Sequence, residues 1–130
     1  MAGSNGSAPF LISGGGIGGL AAAYALARQG FPVRVFEQSP EFREVGAGIQ
    51  ISSNGTRVLF ALGLEEALRS IQVNPLRKEI RHWRTGQTWD WYELGASAKE
   101  RYGSPHLLLH RGDLHAILVD AVRRLKPDAI

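Results

Sequence analysis

The chain has 130 residues, of which 44% are apolar and 21% charged, with a formal net charge of +3. This is about one domain's worth of chain with enough apolar positions for a core, which excludes disordered and collagen-like classes. Sixteen glycines exceed average usage, so the backbone must turn tightly or approach something closely, and the lack of cysteine excludes disulfides, thiolate zinc sites and cysteine nucleophiles.

The mild basic excess forms no block of the kind that binds nucleic acid. Met1–Ala8 is rich in Gly, Ser, Asn and Ala and lacks the basic and apolar regions of a signal peptide, and no apolar run reaches the ~18 residues of a membrane span. Residues 1–8 are therefore expected to be a flexible tail. The chain is expected to be soluble and cytoplasmic, with neither a membrane nor a nucleic acid as partner.

Pro9-Phe10-Leu11-Ile12-Ser13 reads as a short buried parallel strand that stops at Gly14-Gly15-Gly16. Ile17, Leu20, Ala21, Tyr24 and Ala25 then follow helical spacing up to the stop signal at Gly30. Pro32 to Phe36 is β-branched and aromatic, which completes one βαβ unit. A loop over Ser39–Gly48 leads to a brief strand at Ile49 and Ile51. Ser52 to Gly55 reads as caps and a turn before two short helices broken at Gly63. Residues 79–84 and 88–92 flank Thr85-Gly86-Gln87 as an antiparallel hairpin, in which Trp83, Trp89, Trp91 and Tyr92 are expected to pack across a sheet face. Leu107 to Leu109 forms another strand run. After it Asp113 is the expected N-cap of a helix carrying Leu114, Ile117, Leu118, Ala121, Val122 and Leu125 on one face, broken at Pro127 where a new strand would begin. A parallel sheet of two strands plus a stray third is too small to stand alone, so the chain is expected to be an incomplete α/β unit, a piece of a longer protein.

Gly14-x-Gly16-x-x-Gly19 lies between a predicted strand and a predicted helix, the context that a dinucleotide-binding turn requires. The first glycine permits the turn, the second lets backbone approach a pyrophosphate, and the third lets helix and strand pack closely. The helix N-terminus offers free amides and positive potential to phosphates. Glu37 follows Gly14 by 23 positions, at the end of the second strand, where a carboxylate accepts hydrogen bonds from ribose hydroxyls and disfavours a 2′-phosphate. The expected ligand is FAD or NAD rather than NADP. His106, His110 and His115 lie near one another in sequence, but no acidic ligand cluster or zincin spacing accompanies them, so no metal site is expected. No serine sits in a hydrolase elbow.

Arg43-Glu44-Val45-Gly46-Ala47-Gly48-Ile49-Gln50 and His110-Arg111-Gly112-Asp113-Leu114-His115, taken with the glycine turn, resemble the class A FAD-dependent aromatic hydroxylases from about Pro9 to Val122. The resemblance implies a Rossmann-like FAD-binding core over residues 9–130, with the rest of the protein absent and the hairpin, 78–92, contributing to a substrate-domain sheet. It assigns Gly14, Gly16, Ile17, Gly18, Gly19, Glu37 and Gln38 to the ADP half of FAD. It adds Gln50, an amide that cannot titrate, and Arg111, whose forked donors suit a pyrophosphate or ribose. Arg43 would reach the cofactor or a carboxylate. The implied activity is monooxygenation of a phenolic acid or hydroxypyridine with O2 and with NADH or NADPH as transient reductant. A homodimer is admissible for the full-length protein, and no catalytic residue is identifiable in this part of it. Two other readings stand beside this one: an NAD-dependent Rossmann dehydrogenase or reductase, and a non-enzymatic nucleotide-binding fragment.

Overall fold

The computed structural model describes residues 8–41 and 47–130, so all but the last residue of the expected tail lies outside the described residues. The chain divides into one unit of Met1–Val45 with Gly112–Ile130 and another of Gly46–Arg111.

In the first unit, β1 (Phe10–Ser13) and β2 (Val33–Phe36) are joined through helix α1 (Ile17–Arg28). The strands pair in parallel, Phe10 opposite Val33 and Ser13 opposite Phe36. This is the βαβ unit read from the sequence. Gly30, at φ +87°, lets the chain leave α1 and return to the sheet. Alternation along β2 buries Val33 and Val35 and exposes Arg34 and Phe36, so one face of the sheet is covered. β1 is correspondingly not the buried strand expected: Leu11 is 67% exposed and Phe10 48%. The composition of β1 suits a strand covered on both faces, but in a sheet of two strands only Ile12 of β1 is even partly covered.

Helix α1 buries Leu20, Ala23 and Ala27, a three- and four-residue spacing that defines one face. A second helix begins at Arg111 and runs to Leu125; within this unit it buries Leu114, His115, Leu118, Val119 and Val122. Each large apolar side chain removed from water there contributes about 1.5–3 kcal/mol before entropy is counted. Because the helix starts at Arg111, Asp113 lies inside the first turn rather than at the N-cap, where its charge still complements the helix dipole. Pro127 begins a 3-10 turn, Pro127–Ala129, in place of the expected strand.

In the second unit, β3 (Gly48–Ile51) pairs antiparallel with β6 (Leu107–His110). The stray third strand therefore does not join the parallel pair. Helix α2 (Ser53–Ala61) starts earlier than expected, with Ser52 as its extended N-cap and Gly55 inside the helix, where a Cβ would come within 3.0 Å of Ile51 Cγ2. Gly63, at φ +78°, separates α2 from α3 (Glu65–Arg69).

Strands β4 (Arg77–Arg81) and β5 (Thr88–Glu93) form the hairpin, with an irregularity between Lys78 and Glu79. The turn is longer than expected and contains His82, Trp83 and Arg84. The aromatic side chains do not pack into a core: Trp83 is 82% exposed, Trp91 59%, and Trp89 and Tyr92 46% each. They make local contacts instead, Trp91 under the Lys78 ammonium at 4.6 Å and Trp83 beside the Arg84 guanidinium at 4.8 Å. Helix α4 (Ala96–Tyr102), absent from the sequence reading, ends at Gly103 in the left-handed conformation. Arg57 Nη2 donates to the Tyr102 carbonyl at 2.7 Å, which ties α2 to that end. The helix beginning at Arg111 is α5 in chain order.

Candidate dinucleotide-binding site

The carboxyl end of β1 turns into α1 through Gly14-Gly15-Gly16. Gly14 sits at φ +101°, which a β-carbon would strain, and its N–H still donates to Phe36 carbonyl at 2.7 Å, so the sheet ladder runs up to the turn. Gly19 serves a different purpose. A Cβ there would lie 2.0 Å from the Gly14 carbonyl oxygen and 3.3 Å from Ile12 Cγ2, so only glycine lets the first turn of α1 press against the end of β1. A Cβ on Gly16 or Gly18 would meet nothing within 4 Å. The space beside these two positions is open, as a backbone surface for a phosphate must be.

Gly16 caps α1 without any side-chain hydrogen bond, and the first turn holds no acidic residue. The first amides of a helix have no intrahelical acceptor, and the aligned peptide dipoles make this end positive. The backbone of Gly16, Ile17, Gly18 and Gly19 thus lies at the end of α1 whose free amides and positive potential suit an anion.

Glu37 stands at the end of β2 beside the turn. Its Oε2 accepts from Gly15 N–H at 2.6 Å and its Oε1 from Ser39 N–H at 2.9 Å. The Ser39 and Gly15 amides hold its carboxyl below the usual range against an opposing push from desolvation, with smaller help from the Gln38 amide and His115. A carboxylate has about four acceptor positions, so positions remain for a ribose diol. Gln38 is exposed next to it.

The sequence reading missed His115 as part of this site. It is 3% exposed on α5, and its Nε2–H donates to the Gly15 carbonyl at 2.7 Å. The signal was present: a histidine inside the apolar stripe of Leu114, Leu118, Val119 and Val122 requires a polar partner when buried. Among the described residues no group of three or more His, Cys, Asp or Glu could hold a metal.

The first unit therefore brings together Gly14, Gly16, Ile17, Gly18, Gly19, Glu37 and Gln38. Gln50 and Arg111 belong to the other unit. There Gln50 is exposed on β3 opposite Leu108, and Arg111 is exposed with its N–H donating to Ala47 carbonyl at 2.9 Å. Arg43 lies outside the described residues.

Strand, glycine turn, helix and acidic strand end define a Rossmann-like nucleotide-binding unit, and a family model described as an NAD(P)-binding Rossmann-like domain matches residues 12–54. The relatives give a finer placement. The chain is 42% identical over 119 residues to 6-hydroxynicotinate 3-monooxygenase of Pseudomonas fluorescens, covering 92% of this chain and 30% of that protein. It is 40% identical over 115 residues to 3-hydroxybenzoate 6-hydroxylase of Polaromonas naphthalenivorans, covering 88% and 29%. The crystal structure of Klebsiella pneumoniae HpxO complexed with FAD and uric acid superposes with a TM-score of 0.72 at 30% identity, covering 90% of this chain and 29% of that one. Over nine-tenths of its length the chain resembles the flavin-dependent aromatic monooxygenases, and it spans about 30% of the length of the relatives it matches. No helix among the described residues is long and apolar enough to cross a membrane.

Proposed function

We propose that the chain forms the ADP-binding part of the FAD site in an FAD-dependent monooxygenase that hydroxylates a small aromatic, of the phenolic acid or hydroxypyridine class, with O2 and NAD(P)H. The observation that carries this reading is the Glu37 carboxylate fixed beside the open Gly14–Gly19 turn, a pairing that fits a dinucleotide with free ribose hydroxyls. The FAD bound in the structure of HpxO favours FAD within that ligand class.

In this reading the Gly16, Ile17 and Gly18 amides hold the pyrophosphate at the positive end of α1. Gly14 and Gly19 shape the turn, and Glu37 with Gln38 receives the adenosine ribose. Arg111 and Arg43 offer permanent cationic donors to phosphate or ribose, and Gln50 touches the cofactor. Residues 9–130 belong to the FAD-binding domain, and 78–92 contribute to a substrate-domain sheet. A bound flavin would supply the redox chemistry for ring hydroxylation, with NAD(P)H as reductant and O2 as oxygen source; this chain's residues would bind and orient it. No residue of the chain is assigned to oxygen transfer itself.

Titration with FAD and with NAD, followed by flavin fluorescence and calorimetry, tests the reading. FAD should bind more tightly than NAD, and Glu37→Ala should weaken FAD binding about tenfold or more, the worth of one or two charge-assisted hydrogen bonds. NAD binding tighter than FAD, with Glu37→Ala harmless to FAD, would instead support a nicotinamide-dependent dehydrogenase.

A further inference from the structure

The hydrogen bond between α5 and the glycine turn crosses 100 residues of sequence, and it lands on the residue just before the N-cap of α1. Gly15 is held from both sides. Its N–H donates to Glu37 Oε2 at 2.6 Å, and its carbonyl accepts from His115 Nε2–H at 2.7 Å. A carbonyl oxygen has no hydrogen to give, so the histidine must carry its proton on Nε2 toward it.

The Gly15–Gly16 peptide is trans, as are all described peptide bonds. In a planar trans peptide the carbonyl of one residue and the N–H of the next point in opposite directions. Drawing the Gly15 carbonyl toward the buried His115 therefore turns the Gly16 N–H away from the His115 ring, while the Cα of Gly16 itself has open space where a side chain would stand. Three successive glycines could otherwise take several peptide orientations at little cost. Neither Gly14, Gly15 nor Gly16 has a side chain to restrict its own turn.

We infer that His115 is a positioning residue for the phosphate site: through the Gly15 carbonyl it fixes the Gly15–Gly16 peptide so that the Gly16 N–H faces the pyrophosphate of the bound dinucleotide. The inference rests on the reading of the turn as a dinucleotide site. His115 touches neither cofactor nor substrate; it sets the direction of a donor that does.

ADP and adenosine are the probes, because only ADP has the phosphates that the Gly16 N–H would meet. Each is titrated by NMR into wild type, His115→Ala, His115→Leu and His115→Gln. The two apolar variants should bind ADP about tenfold more weakly, the effect of one misdirected donor to a charged group, while adenosine binding stays unchanged. Glutamine, whose amide can donate to the same carbonyl, should recover most of the ADP affinity. Leucine fills the buried space that alanine would leave empty, so a folding defect of His115→Ala leaves the comparison intact.

Backbone NMR relaxation without ligand provides the second readout: the order parameter of Gly16 should fall in His115→Leu relative to wild type, with those of β2 unchanged. Equal ADP affinity in folded wild type and His115→Leu overturns the inference, as does an equal loss of ADP and adenosine binding. If wild type binds neither FAD nor ADP, the dinucleotide reading fails; the Gly16 order parameter then decides alone whether His115 fixes the peptide.

Discussion

Gly19→Ala puts the close packing of α1 on β1 to a direct test. The added Cβ would lie 2.0 Å from the Gly14 carbonyl oxygen and 3.2 Å from its carbon, and both atoms are backbone. Relief requires α1 and the turn to separate by about 1 Å, which opens the contact with Ile12 and disturbs the Gly14–Phe36 hydrogen bond. Overpacking of this kind costs about 1–3 kcal/mol, more where backbone cannot yield. It must also outweigh the roughly 1 kcal/mol by which alanine is preferred to glycine inside a helix. A net loss of about 1–2 kcal/mol corresponds to a melting temperature lower by roughly 4–12 °C for a chain of this size. Gly18→Ala is the internal control, since it lies one residue away in the same helix and its Cβ meets nothing within 4 Å. It should melt at or slightly above wild type. Circular dichroism melts at matched concentration decide between them, and a Gly19→Ala protein that melts with wild type would refute the close-packing reasoning.

Gly16→Ala should melt within about 3 °C of wild type, since its Cβ enters open space, yet bind ADP several-fold more weakly because that space is the proposed phosphate surface. The lowered pKa of Glu37 means that its contribution to stability is present above the ordinary carboxyl value of 4.5 and is lost as pH falls through the lower folded value. Urea melts should therefore show wild type losing more stability than Glu37→Gln between about pH 5 and pH 3; parallel pH profiles would contradict this. His106 is pushed below 6.5 by desolvation first and by Lys78 second, so the folded state resists its protonation and stability from this group rises with pH up to about 6.5. An NMR titration of its ring should give a midpoint below 6.5, and Lys78→Ala should move it upward. Trp83, Trp89 and Trp91 should fluoresce near the wavelength of indole in water and be readily quenched by acrylamide; strongly blue-shifted emission would mean that the hairpin's aromatic side chains are covered.

The βαβ unit could be read from the sequence because each of its parts carries a local signal. β-branched runs, an alanine-rich 3.6-residue period and glycine stops decide strand, helix and strand without long-range information. The hairpin's existence was readable for the same reason, but the fate of its aromatics was not. Alternation says which residues share a face; whether anything lies on that face depends on other parts of the chain, and here Trp83 falls in the turn, outside the alternation altogether. The starts of α2 and α5 were misplaced by one to several residues because serine, asparagine and aspartate favour both the N-cap and the turn before it. Helix α4 was missed because seven residues with one buried alanine leave no periodic stripe to detect.

The site divides along the same physical line. Gly14, Gly19 and Glu37 are readable because their tasks are imposed by geometry within one βαβ unit: a positive φ, a backbone contact at the start of the helix, an acid at the next strand's end. For His115 the sequence signals only that a polar partner is needed inside an apolar stripe; which partner is not readable, because a backbone carbonyl has no side-chain identity and leaves no trace at Gly15. A glycine turn has the freedom to approach a phosphate and, for the same reason, the freedom to point its amides elsewhere. Something outside the turn must remove that freedom. In this chain the two groups that do so come from the end of β2 and from α5, one holding the N–H of Gly15 and the other its carbonyl. On the reading proposed above, the dinucleotide surface is as much a product of Glu37 and His115 as of the glycines that form it.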